Sequence, residues 1–262
     1  MNETFIYQTP AWILTILLFV SMLLMNWIGY KIRKIEIAKN KVLTNDGLGT
    51  IQASLLGLLA LLLSFTFGMS SSRYDHRREI ILEEANNIGI VVLLTDIYPN
   101  PIKKNLKNDL KEYLEARIDY FNADVNITKI NRAQQNSKKI YTKVWNQVMA
   151  ESQNPENLLR SQQMIPAMVK MIDVVRSRDL IKNSTVPDSV LWLLFLIIMF
   201  ASFTVGYTNI GQQKNHVISF VFTATIVLTV FLILNLDRPR RGIINTDNAE
   251  KKIVELRSLF QE

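Results

Sequence analysis

The amino-acid sequence predicts an all-α integral membrane protein, with four transmembrane helices and a helical cytoplasmic domain inserted between the second and third. Four uncharged apolar blocks are each long enough to cross a hydrocarbon layer. The charged stretch between the second and third blocks repeats its apolar residues at spacings of three and four, the mark of helices with one buried face. No run alternates between turn signals as a strand would. Average composition hides this pattern: 262 residues that are 48% hydrophobic and 20% charged would suit a soluble protein, and only the clustering points to a bilayer.

The first block, residues 11–30, reads AWILTILLFVSMLLMNWIGY and carries no charge. About twenty residues at ~1.5 Å each cover a ~30 Å hydrocarbon core. Trp12, Trp27 and Tyr30 stand near its ends, where aromatic rings prefer the headgroup level. No basic residue precedes the block and no Ala-x-Ala site follows it, so a retained helix is expected rather than a cleaved signal.

The second block, residues 48–72, follows the turn-forming Asn45-Asp46-Gly47. Neither proline nor a turn cluster interrupts the sequence after Ser72, so this helix is expected to run on as one rod to about Tyr98, roughly 75 Å at 1.5 Å per residue. The third and fourth blocks, residues 190–207 and 217–236, are joined by the short stretch Thr208 to Asn215, which predicts an antiparallel hairpin.

Between residues 73 and 186 the pattern predicts the charged domain. Ile102, Leu106, Leu110, Tyr113, Leu114, Ile118 and Phe121 form one stripe. Ile140, Val144 and Val148 form another, and Met164, Met168, Met171 and Val175 a third. Breaks are expected at Pro99 and Pro101, around Asn122 to Asn131, and near Pro155. In the tail, residues 237–262, the spacing of Ile253, Leu256 and Phe260 suggests an amphipathic helix that docks on the main domain or offers a partner surface.

The net charge of +7 is spread along the chain and interleaved with acids, which argues against a nucleic-acid stripe and for contact with a bilayer surface. Cysteine is absent, which removes disulfides, thiolate metal sites and cysteine nucleophiles. His76 and His216 are the only histidines and neither has a carboxylate cluster around it in sequence, so no metal and no cofactor are expected. Phosphate-loop and hydrolase signatures are also missing, and an enzyme is not expected.

Orientation follows from the bases flanking the blocks. Arg73, Arg77, Arg78, Arg176, Arg178, Lys182, Arg238, Arg240 and Arg241 outnumber Lys31, Arg33, Lys34, Lys39, Lys41 and Lys214. Both termini and the domain are therefore expected in the cytoplasm, with the chain in the inner (plasma) membrane.

At 100° per residue, Ala53, Gly57, Ala60, Ser64, Gly68 and Ser71 share a sector of roughly 80° along the second membrane helix, and Asp75 is the first ionisable residue to continue it. Small residues on one stripe serve close helix packing or leave room for a pore wall. A second sector carries Leu56, Leu59, Leu63 and Phe67, which suit either a core or lipid face or a hydrophobic constriction.

The run from Ser64 to Arg78, SFTFGMSSSRYDHRR, resembles the pore-helix exit of bacterial bestrophins, and more closely a family of bestrophin-like bacterial membrane proteins. Arg73, Tyr74, Arg77 and Arg78 carry that part of the likeness. Glu83-Glu84-Ala85-Asn86 and Asp237-Arg238-Pro239-Arg240-Arg241-Gly242 match two further motifs of the bestrophin-like family. The resemblance implies a homo-oligomeric ion channel, a pentamer by analogy, with lipid and inorganic ions as partners and the second helix lining the path. A ring of Asp75 carboxylates would favour cations. The competing expectation is a non-conducting scaffold or sensor that signals through its helical domain. Asp237-Arg238-Pro239-Arg240-Arg241 is expected to mark the membrane boundary, or to place Asp237 against Arg73 or Arg77.

Overall fold

The structure, a computed structural model, describes residues 7, 9–39, 47–123, 126–181, 185–208, 216–238 and 244–261. Helix α1 spans Ala11–Ala38, α2 Leu48–Leu94, α3 Ile102–Asn122, α4 Ile127–Glu151, α5 Leu158–Ile181, α6 Asp188–Thr208, α7 His216–Asp237 and α8 Asp247–Glu255. Single 3₁₀ segments, Thr95–Ile97 and Leu256–Phe260, follow α2 and α8. Among the described residues there is no strand.

The chain divides into two compact units. One comprises residues 1–74 and 185–244, the other residues 75–184 and 245–262. Helix α2 contributes to both. The four helices α1, α2, α6 and α7 are long and apolar enough to cross a membrane.

In the first unit, Leu14, Leu18 and Met22 of α1 pack with Leu191, Leu194, Ile198 and Ala201 of α6 and with Ile226, Val230 and Leu234 of α7. Two glycines set how closely α1 and α6 approach. A Cβ at Gly29 would collide with the Phe203 carbonyl oxygen, and a Cβ at Gly206 would collide with the Asn26 carbonyl. Removing both side chains is what lets the backbones touch. Gly47, with φ of +91°, turns the chain into α2, as the Asn-Asp-Gly signal predicts.

In the second unit, the domain half of α2 supplies Ile81, Ile88, Val91 and Val92 to a core shared with Leu106, Leu110 and Leu114 of α3. Val144 and Val148 of α4 and Met164, Met168 and Met171 of α5 complete it. Each of the three predicted stripes thus meets this core, at about 1.5–3 kcal/mol per buried aliphatic side chain. Asn126 caps α4, its side-chain oxygen accepting the Lys129 N–H at 3.0 Å. Pro99 and Pro101 fall in the break between α2 and α3, and Pro155 in that between α4 and α5. The rod is shorter than its expected end at Tyr98, because α2 gives way at Thr95 to a 3₁₀ turn. Tail helix α8 docks on this unit: Ile253 and Ala249 enter its core, Leu256 and Phe260 pack against it, and Arg257 pairs with Glu115 at 2.6 Å.

Candidate functional site

Helix α2 differs from the other apolar helices in how little its own chain covers it. Only 6% of its most apolar stretch is buried, against 28%, 39% and 33% for α1, α6 and α7. What seats it is a narrow strip of Leu59, Thr66 and Ser70, all buried. These three lie within a sector of roughly 40° at 100° per residue. Small-sector residues lie on the reverse side. Ala53, Gly57, Ala60, Ser64 and Gly68 are exposed and Ser71 is half-buried. A Cβ at Gly57 or Gly68 would find nothing within 4 Å. Within the chain, then, the stripe is not a packing surface; Gly29 and Gly206 hold that role. Asp75, at the end of the stripe, is exposed.

The four bulky residues of the second sector do not share one environment. Leu59 is buried, and Leu56 and Leu63 pack against the core of the membrane-type unit. Phe67 alone among them stands open, 41% exposed.

The family-motif residues fall into two clusters and a remainder. In the first unit, Asp237 at the end of α7 is 1% exposed. Its Oδ2 accepts the Tyr7 O–H at 2.5 Å and the Val186 N–H at 2.8 Å, and its Oδ1 lies 3.6 Å from Arg73 Nη1. Arg238 is buried as well and donates to the Thr9 carbonyl at 2.5 Å. Asp237 is therefore a staple joining the segment before α1, the entry to α6, the end of α7 and α2. Pro239, Arg240, Arg241 and Gly242 lie outside the described residues.

In the second unit, Glu84 is fully buried and shared by two guanidiniums. Arg117 Nε donates to Oε1 at 2.5 Å, and Arg178 Nη1 to Oε2 at 3.0 Å. Burial pushes the Glu84 carboxyl up, but the two arginines outweigh it and hold it below the usual carboxylate range. Arg178 also stacks on Phe121 at 3.9 Å and on Tyr120 at 4.6 Å, which spreads its charge over aromatic faces. Glu83, Asn86 and Arg78 are exposed, Tyr74 is half-buried and Arg77 is buried. Arg117, Arg178 and Tyr7 carry these clusters, yet no motif marks them. A signal for the first does exist: Arg117 sits on the α3 stripe between Tyr113 or Leu114 and Phe121, and a charge on an apolar stripe foretells a buried partner.

Among the described residues, no group of three or more His, Asp or Glu could hold a metal ion. The fold and these sites define an all-helical membrane protein with four apolar helices and a separate charged helical unit. A family model described as a Bestrophin-like domain matches residues 16–249, and the chain belongs to that family. A bacterial bestrophin homologue from Klebsiella pneumoniae superposes with a TM-score of 0.67 at 13% identity, over 93% of this chain and 98% of the other. A second structure, of a membrane protein, gives 0.67 at 14% identity over 92% and 98%. A single-site variant of the Klebsiella homologue gives 0.66 at 14% over 93% and 98%. The fold is accordingly that of bestrophins. A search of curated proteins gives no match.

Proposed function

We propose that the protein is an oligomeric ion channel of the inner membrane, with the small-residue face of α2 lining a path shared between subunits. The observation that carries this reading is the open face itself. An 18-residue apolar stretch in which only 6% of the residues are buried by their own chain needs another surface, and a Cβ added at Gly57 or Gly68 would meet nothing within 4 Å. If lipid were that surface, bulky side chains would serve equally well; small residues in register over five turns suit a shared axis better. One copy offers no enclosed path, so conduction requires several, and five is the number implied by bestrophin resemblance. Phe67 is the one exposed member of the bulky set and is the candidate constriction. Asp75 carboxylates at the end of the face would favour cations. Termini and charged unit lie on the cytoplasmic side in this reading, following the distribution of Lys and Arg. Conduction rather than catalysis is the activity proposed.

The native sequence contains no cysteine, so every introduced thiol reports alone. Ala60→Cys and Ser64→Cys, reconstituted in planar bilayers, are expected to lose at least half their current when a charged thiol reagent is added. Leu59→Cys, on the seated side, should lose none. Asp75→Asn should move the reversal potential towards lower cation preference, and an unmoved potential removes Asp75 from the account. Reconstituted protein that never passes current would overturn the reading.

A further inference from the structure

The second unit contains a cavity that the channel reading does not use. It lies among α3, α4 and α5, has a volume of about 560 Å³ and carries Tyr113 and Arg117 in its lining. Both residues are almost entirely buried, at 1% and 2% exposure. The Tyr113 hydroxyl has no hydrogen-bond partner. A buried hydroxyl left unpaired costs about 1–3 kcal/mol, which selection tolerates most readily where something else supplies the partner. Burial pushes this hydroxyl up, so at neutral pH it is a proton donor.

The charge around the cavity is positive in excess. Arg117 shares the single carboxylate of Glu84 with Arg178, leaving the buried triad one positive charge in excess. At the cavity wall Lys138 and Arg176 face Asp179, whose Oδ1 accepts from Gln134 at 3.0 Å, while Arg176 also pairs with Asp173 at 3.5 Å, so the one positive charge of the triad is the net excess. The remaining wall combines amides and hydroxyls on α4, including Gln134 and Ser137, with the apolar Ile172 and Val175 of α5. A phenolic O–H and a guanidinium lining one cavity can donate to the two oxygens of a carboxylate, whereas a phosphate dianion would ask for more donors than these two provide. The volume lies within the range of small-molecule sites.

We propose that this cavity binds a small organic carboxylate, its anionic end seated against Tyr113 and Arg117 and its polar body against the α4 amides and hydroxyls. The assignment is independent of whether α2 conducts. Its test uses the purified full-length oligomer in detergent, with citrate and glutarate as carboxylate probes and inorganic phosphate as the rival anion. Calorimetric titration should show millimolar or tighter binding of at least one carboxylate, and the same probe should raise the melting temperature. Tyr113→Phe keeps the ring and removes only the unpaired hydroxyl, so without probe it should melt no lower than the native protein, while its affinity for the carboxylate falls at least tenfold. Lys138→Glu, at an exposed position that cannot unfold the core, should also weaken binding. The proposal is overturned by the absence of carboxylate binding, by equal binding in Tyr113→Phe, or by binding of phosphate alone. It is equally overturned by an oligomer structure with a side chain of a second copy filling the cavity.

Discussion

The two halves of α2 have similar length and opposite fates. From Asp75 onward the helix is embedded: Ile80, Ile81, Ala85, Ile88, Val91 and Val92 are all buried by the chain's own helices, and Glu84 is neutralised within the same unit. Before Ser72 the more apolar half is seated on a strip only one residue wide. Hydrophobicity therefore predicts burial for most of the domain half, Ile90 and Leu93 being exposed, but not in the other, because a membrane replaces water as the neighbour and apolar surface there carries no cost of exposure. In the domain half the chain supplies most of its own contacts; in the membrane half it leaves most of the helix surface uncovered.

The domain half should be the easier to break. Glu84→Gln leaves Arg117 and Arg178 buried without a carboxylate, which should cost about 3–5 kcal/mol, read as a fall in the melting temperature of the detergent-purified protein. The pH dependence sharpens the point. With its folded value below the unfolded ~4.3, the Glu84 contribution is complete above that pH and is lost as the pH falls through the lower folded value. Glu84→Gln should therefore remove part of the native protein's acid sensitivity below about pH 4. A variant as stable as the native protein at neutral pH would mean that the triad does not hold the domain together.

Glycine provides the next contrast. Gly206→Ala places a Cβ against the backbone of α1, an overpacking expected to cost about 1–3 kcal/mol and to loosen α1 from α6. Gly57→Ala meets nothing within its own chain and should leave a dissociated subunit as stable as before. If Gly57→Ala nevertheless destabilises the oligomer, as seen by native mass measurement, then the open face is closed by neighbouring subunits rather than by an aqueous path. Smaller still is the staple at the end of α7. Asp237→Asn keeps an acceptor for Tyr7 and Val186 but ends the ion pair with Arg73, for an expected loss of about 1.5 kcal/mol. Charge reversal at Asp237 should be rescued in part by Arg73→Asp, and the absence of rescue would show that the pairing is incidental.

Much of this architecture is legible in residue spacing, because a helix that buries one face must repeat at three and four. The stripes on α3, α4 and α5 and the breaks at Pro99, Pro101 and Pro155 are readable for that reason. Ends are less legible: α1 continues to Ala38 past the charged Lys31, Arg33 and Lys34, since Arg33 buries itself 5.1 Å over the Tyr207 ring instead of ending the helix. The Gly29 and Gly206 contact could not be read at all, because two isolated glycines on different helices show no period. The same holds for the cavity beside Tyr113, whose ring fits the stripe while its hydroxyl, which the spacing ignores, is what distinguishes the position. On α2 the small stripe is visible in the sequence, but which side the chain would cover depends on the seat formed by Leu59, Thr66 and Ser70.

The tail offers the mildest way to perturb the domain half. Its apolar residues, Ala249 and Ile253, hold α8 in the core, and Leu256 and Leu259 lie against Gly89 of α2. The Arg257 guanidinium reaches both Glu115 oxygens, at 2.8 and 2.6 Å, from an exposed position. Solvent screens such a pair, so Arg257→Glu should leave the melting temperature almost unchanged. Local opening is more sensitive than global unfolding, because a terminal helix can detach while the core stays folded. Limited proteolysis after residue 244 should accelerate a few-fold in Arg257→Glu, and the added Glu115→Arg should restore the native rate. If cleavage is unchanged, the apolar seat on Gly89 holds the tail alone; if cleavage becomes immediate, the pair contributes far more than its exposure allows.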